Sequence, residues 1–409
     1  MKRRTFLSTA ISAMAAGFVP LSGSAQGHRL PTGYLRTNWS RDPYSLGSYS
    51  YVARGAGRRD HAALGKPVGS RLFFAGEAAH PDYNSTVHAA YETGLMAAEA
   101  VDDTADAETV AIVGAGASGL AAAAWLTDEG YDVTVLEARR RTGGRIWTDR
   151  SLGLPLDLGA SWIHGTDGNP LTGLAGDQGL GTRATDGTYV IRGGDGREIP
   201  DADAPAWLEN VLEVQHSLGA DSKEVNGSAY RADTDYDGAE VLLPGGYDQL
   251  LNGIPDDLEI RFGHVVTLVD VGEDGVRLRD SKGREATFDA VVLTVPLGVL
   301  KQGAIRFSPP LPRWKTEAIA RLGMGTLDKV YLRYQDVFWD ADVTWIATPE
   351  NGLPEGQFNQ WLNLHRYTGA PVIVAFNGAE PARELAALPD AEIVDRAHRT
   401  LERAYPQAR

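Results

Sequence analysis

Residues 109–147 carry the clearest chemistry in this 409-residue chain. A short β-branched and apolar run, 109–113, leads into Gly114-Ala115-Gly116-Ala117-Ser118-Gly119. An Ala-rich helical pattern follows to about residue 129, and a second strand pattern over 131–136 ends in Glu137. Strand, GxGxxG, helix, strand and acid in this order predict a dinucleotide site. Gly114 makes the turn, Gly116 admits a pyrophosphate against the backbone, and Gly119 lets helix and strand pack closely. The helix N-terminus presents its N–H groups to phosphate, and Glu137 can accept hydrogen bonds from a ribose diol. Elsewhere, Lys329 sits in the alternating pattern LDKVYLRY and so shares a strand face with Tyr331. His164 follows Trp162, and Tyr49 alternates with Tyr51. On pattern alone these three are as readily a solvated lysine, an ordinary polar histidine and a packed aromatic.

The element that follows the ribose acid decides among dinucleotides. Arg141-Thr142-Gly143-Gly144-Arg145 is not expected of a nicotinamide site and resembles the RxGGR element of the flavin-containing amine oxidase family. The similarity continues through DLGASWIHG (157–165), LPGGYDQLL (243–251), HVVTLVDV (264–271), DAVVLTVPLGVLK (289–301), GTLDKVYLRY (325–334) and residues 363–406. It implies FAD as cofactor, held by Gly114, Ala115, Gly116, Ser118, Gly119, Glu137, Ala138, Arg139, Gly144, Arg145, Gly159, Ala160, Ser161, Trp162 and the backbone at Val265. Arg139 then serves as the phosphate-side cation and Arg145 as the flavin-side one. Lys329 matches the lysine whose ammonium holds a water at the flavin. His164 matches a residue that touches the substrate amine, and Tyr49 an aromatic wall beside the flavin.

The family's usual last segment, a Trp, a GSY element and then FAGE, is missing after Arg409 and stands instead at residues 30–100. There Gly76 and Glu77 resemble the segment on the ribityl chain. Thr86 and Val87 open a helix whose N-terminal dipole would face the flavin. Ser85 and Thr86 occupy places where some members carry an aromatic ring, and Ala89 replaces a usual glycine. The order reads as a circular permutation, joined near 103/104 through the short polar stretch 102–108. It requires 71–100 to pack against 110–145 and Arg409 to lie near Leu30, as surface termini allow.

These motifs need an α/β fold: a Rossmann-like FAD-binding domain and a second, mixed α+β substrate domain, both discontinuous. The segments are 1–27 (signal peptide), 28–59 (substrate), 60–185 (FAD), 186–239 (substrate), 240–303 (FAD) and 304–409 (substrate). Residues 1–27 join a Lys2-Arg3-Arg4 n-region to a short apolar stretch and small residues, a twin-arginine-like signal implying a periplasmic or secreted protein. Removing Lys2, Arg3 and Arg4 takes the formal net charge from −15 to −18. That balance argues against a nucleic-acid partner and suits a cationic substrate. With no cysteine, thiolate catalysis, thiolate metal sites and a thioether link to flavin are excluded, and no metal or membrane span is called for. The expected activity is an FAD-dependent amine oxidoreductase taking O2 as acceptor, with polyamines as substrate. GASWIHG, NLHRYTG and the acidic charge favour that substrate. An L-amino-acid oxidase would need an arginine for the carboxylate, and none follows DLGA. A flavin-binding protein without catalytic activity is the remaining alternative.

Overall fold

The computed structural model describes residues 30–230, 236–253 and 258–406, so the expected signal segment and Arg409 lie outside the described residues. The nucleotide motif belongs to a five-stranded parallel sheet. Its order is Glu259–Phe262, Asp132–Glu137, Thr109–Val113, Ala290–Leu293 and Leu72–Phe74. The central strands are almost wholly buried, which is why they read as continuous apolar runs rather than alternating ones.

Two helices, Val87–Thr104 and Ala117–Asp128, cover one face and pack on each other. Small residues permit this contact. A Cβ on Gly94 would stand 2.2 Å from the Ser118 carbonyl oxygen, and Ala97, Ala98, Ala122 and Ala123 are buried with Phe73, Ile112 and Leu126. The first helix runs on through Asp102 to Thr104, so the polar joint predicted over 102–108 shrinks to the residues after it. Leu72–Phe74 and Val87–Thr104 thus pack with 110–145, as the permuted reading requires.

A small sheet covers the other face, in the order Glu285–Phe288, Val276–Asp280, Val266–Val271, Arg306–Ser308. Val269, Val276, Leu278 and Phe288 meet Leu72, Phe74, Val113 and Leu293 there. Arg306–Ser308 was grouped by sequence with the substrate segments. It pairs in parallel with Leu268–Asp270, so its place is set by the small sheet.

A six-stranded sheet forms the second half: Gly33–Arg36, Leu327–Arg333, Val372–Gly378, Gln360–Asn363, Trp345–Ala347, Tyr189–Ile191. All its pairs are antiparallel except the last. The helix Asp390–Ala404 buries Ile393, Ala397 and Leu401 against Val330, Leu332 and Ile373. Each such fully buried Ile, Leu or Val side chain contributes roughly 1.5–3 kcal/mol. The opposite face carries Tyr331, Val374 and Phe376 against Leu156 and Leu158. Alternation puts Lys329 on that second face, opposite Phe376 in register.

Candidate functional site

The glycine loop is shaped by what each position can tolerate. A Cβ on Gly119 would fall 1.9 Å from the Gly114 oxygen, and one on Gly114, at φ +114°, would stand 2.6 Å from Thr294 Oγ1. At Gly116 the only neighbour within reach among the described residues is the Gly143 oxygen, at 3.9 Å. Two glycines are therefore demanded by packing, and the third keeps an open face. Gly116 precedes the Ala117–Asp128 helix with no side-chain cap, so that end presents N–H groups beside the open face. These residues fit the pyrophosphate of FAD. Glu137 is buried and braces the loop: it accepts from Ala115 N at 2.7 Å and from Arg139 N at 2.7 Å. His264 N donates to the Glu137 carbonyl, which brings Val265 alongside. The Val265 carbonyl accepts from Ser281 N, so its own carbonyl is committed to the small sheet.

Arg139 has a partner the sequence reading missed. Its guanidinium forms a two-pronged pair with Asp42, at 2.8 Å on each prong, and adds Ser45 Oγ at 2.9 Å. Its charge is thereby partly offset by Asp42. Ala138 is half-buried beside it, and Gly144, at φ +57°, faces Gly116.

Glu77 forms a hub where three chain stretches meet. One oxygen takes Arg145 Nη1 at 2.7 Å. The other takes Ser50 Oγ at 2.6 Å and Ser85 N at 3.0 Å. Ser50 N lies 3.2 Å from both oxygens. Burial alone would push this carboxyl up. The Arg145 charge and the Ser50 bonds outweigh it and hold it below the usual range. Arg145 Nη1 also donates to Ser48 O, so Tyr49 lies between two residues of the hub. Gly76, at φ +123°, supplies the turn that brings Glu77 off its strand. Thr86 caps the Val87–Thr104 helix, accepting from Ala89 N at 3.1 Å.

Arg145 links this hub to the lysine. Its carbonyl accepts from Ala160 N at 3.2 Å, and a Cβ on Gly159 would fall 1.7 Å from the same oxygen. Lys329 Nζ donates to Asp157 O at 2.9 Å, Gly159 O at 2.6 Å and Ser161 Oγ at 2.6 Å. All three donors have protein acceptors, so the water expected on this ammonium can be held only by exchanging one of them. Burial pushes the Lys329 pKa down to about 8. Asp157, unnoticed in the sequence, is half-buried beside it, and desolvation raises its carboxyl to about 6. The Asp157 side chain accepts from Thr148 Oγ1 at 2.6 Å and from Tyr247 N at 2.9 Å. A pocket of about 430 Å³, counting its open mouth, adjoins Lys329, Ser161, Trp162 and Phe376.

His164 lies apart from Lys329, across one aromatic ring. The Trp162 ring stands 5.9 Å from Lys329 Nζ and stacks with His164 at 6.4 Å. The His164 side chain is 48% exposed, so it belongs to a rim rather than a buried chamber. Its Nδ1 is 2.6 Å from Glu240 Oε2, a second partner that no motif signalled. Tyr49 donates its hydroxyl to His216 O at 2.6 Å, so the polar end of this wall is already engaged.

The model of the family described as flavin containing amine oxidoreductase matches residues 18–102, 117–232 and 220–409. "Polyamine oxidase 2" of Arabidopsis thaliana is 31% identical over 360 residues, covering 73% of this chain and 73% of its own length. "Polyamine oxidase 3" of Oryza sativa subsp. japonica is 32% identical over 357 residues, again 73% of each chain. The solved structure of a cyclohexylamine oxidase from Brevibacterium oxydans IH-35A shares the fold: TM-score 0.58, 23% identity, 74% of this chain and 82% of that one. The chain therefore belongs to the flavin-containing amine oxidoreductase family and is an FAD-dependent amine oxidoreductase.

Proposed function

We propose that the substrates are polyamines. The observation that carries this reading is the His164–Glu240 pair, 2.6 Å apart, on an exposed rim one indole ring from Lys329. An imidazole backed by a carboxylate can take a proton from an incoming ammonium, and only a neutral amine can be oxidised at the adjacent carbon. FAD bound along the glycine loop would supply the hydride acceptor for that carbon, with the electrons going on to O2 to give H2O2. The chain's own residues orient and exchange protons. Lys329 is held against Asp157, Gly159 and Ser161, where a water exchanged onto its ammonium can attack the imine and release aldehyde and a shorter amine. Trp162 and Phe376 line the pocket beside Lys329 with faces that attract cations, and Trp345 packs against both, ring centroids 5.9–6.2 Å apart. The names of the relatives and the net charge of −15 agree with this reading.

Anaerobic bleaching of the flavin by spermine, spermidine, putrescine, acetylated polyamines, a monoamine and L-amino acids tests it. Bleaching by polyamines is expected. Bleaching by L-amino acids with no response to any polyamine overturns it. We further propose that the protein is exported through its Arg3-Arg4 signal, so that replacing both arginines by lysine leaves it in the cytoplasm. The permuted order is part of the same proposal, supported by the packing of Leu72–Phe74 and Val87–Thr104 on the nucleotide unit.

A further inference from the structure

One buried imidazole on the Lys329 face of the six-stranded sheet has no part in the chemistry above. Lys329, Phe376 and Gln360 are cross-strand neighbours on three successive strands. Gln360 therefore lies two strand spacings, about 10 Å, from Lys329 on the same face. Against Gln360 and Phe376 packs His216. Its Nδ1 is 2.6 Å from Gln360 Oε1, and its ring centroid is 6.4 Å from that of Phe376. Gln360 Oε1 is an acceptor, so the proton sits on Nδ1 and Nε2 carries a lone pair. His216 is 8% exposed, and among the described residues Nε2 has no hydrogen-bond partner. A buried acceptor left in this state is costly unless something donates to it.

The backbone also marks the position. His216 follows a π-helical turn, Val211–Gln215, and is followed within three residues by Gly219 in the left-handed conformation. Such turns re-aim the side chains after them and recur at functional sites. The His216 carbonyl accepts the Tyr49 hydroxyl, fixing the residue from the other side. Burial holds the imidazole neutral, pushing its pKa down to about 4, so an approaching cation meets a lone pair and no opposing charge.

We propose that His216 is a substrate-specificity residue: its Nε2 accepts a hydrogen bond from a second nitrogen of the substrate while the first reacts near Lys329. This deepens the polyamine reading and rests on it. A substrate with its nitrogens several methylenes apart spans the Phe376 ring between the two positions. A monoamine makes no use of His216.

The test compares His216→Leu with His216→Gln, whose side-chain oxygen can reach the place of Nε2. kcat and KM are measured for spermidine and for a monoamine of similar length. His216→Leu is expected to raise KM for spermidine ~10- to 100-fold, the loss of one hydrogen bond to a charged group. KM for the monoamine stays within about 3-fold, and His216→Gln restores most of the spermidine value. A packing role instead predicts equal effects on both amines, or no rescue by glutamine, and either result overturns the inference. Flavin content and thermal midpoint of each variant identify misfolding. If the unmodified enzyme oxidises the monoamine and no polyamine, the polyamine reading has failed. If it oxidises spermidine and His216→Leu keeps the same preference, only the role of His216 has failed.

Discussion

Replacing Glu77 by glutamine is expected to destabilise the folded protein by about 3–4 kcal/mol. The carboxylate is 5% exposed. One oxygen serves Arg145, and the other serves Ser50 Oγ and Ser85 N–H. A glutamine must turn its NH2 toward one of these sides, so either Arg145 or Ser85 N–H meets a donor. One unsatisfied buried donor costs about 1–3 kcal/mol, and the lost strengthening of bonds to a charged group adds 1.5 kcal/mol or more. The total agrees with about 3–5 kcal/mol for breaking a buried pair from one side. The assay is a double-mutant cycle with Arg145→Met, read as thermal midpoints and denaturant midpoints. The single variant should lower the thermal midpoint by roughly 4–5 °C in a chain of 409 residues. The pair should show a coupling energy above about 1.5 kcal/mol. The folded-state pKa is depressed, so the stabilisation is present above the unfolded value near 4.3 and disappears as pH falls through the folded one. Glu77→Gln should therefore flatten the acid limb of the stability profile. A single-variant cost under about 1 kcal/mol, additive with Arg145→Met, would refute the idea that this hub is a coupled ionic unit.

Further outcomes follow from the same geometry. Gly119→Ala places a Cβ 1.9 Å from Gly114 O, so the helix must shift off its strand, and purified protein should carry markedly less FAD by absorbance. Asp157 has a raised pKa of about 6, so its stabilising contribution is complete below pH 3.8 and is lost as pH rises to 6. Asp157→Asn should remove a pH-dependent loss of roughly 3 kcal/mol across that window, measured by denaturant midpoints. Burial brings the Lys329 pKa down to about 8, so the pH profile of imine hydrolysis to aldehyde should inflect there, and Lys329→Met should abolish the inflection.

The nucleotide half was legible because its constraints are local. Gly114, Gly116, Gly119 and Glu137 lie within 24 residues: Gly114 and Gly119 answer to close contacts and Gly116 to an open face, as their spacing implies. The face of Lys329 was equally legible, since strand alternation fixes it once the strand is recognised. Partners distant in sequence were not. Asp42 on Arg139, Glu240 on His164 and Ser50 on Glu77 stand 97, 76 and 27 residues from their mates. No periodicity connects them. The exposure of His164 was hidden for the same reason: a WIHG motif specifies backbone order, while solvent access depends on what the rest of the chain leaves uncovered. His216 gave no signal because its neighbours Gln360 and Phe376 come from strands about 150 residues downstream.

The near-continuous succession of strand Leu72–Phe74, helix Val87–Thr104, strand Thr109–Val113, helix Ala117–Asp128 and strand Asp132–Glu137 bears on how the polypeptide acquires its shape. Three of the five parallel strands and both covering helices arise within one stretch of fewer than 70 residues, emerging early in synthesis. Leu72–Phe74 joins the sheet only once its strand partner Ala290–Leu293 has been made. Low sequence separation nonetheless makes the pair Thr109–Val113 and Asp132–Glu137 with its two helices quick to assemble, and early segments organise first on the ribosome. By contrast, Gly33–Arg36 must wait for Leu327–Arg333, whose partner residues lie about 300 positions later. Folding kinetics should therefore be two-stage, with the glycine-loop unit over Thr109–Val113, Ala117–Asp128 and Asp132–Glu137 forming fast and closure of the six-stranded sheet limiting the overall rate.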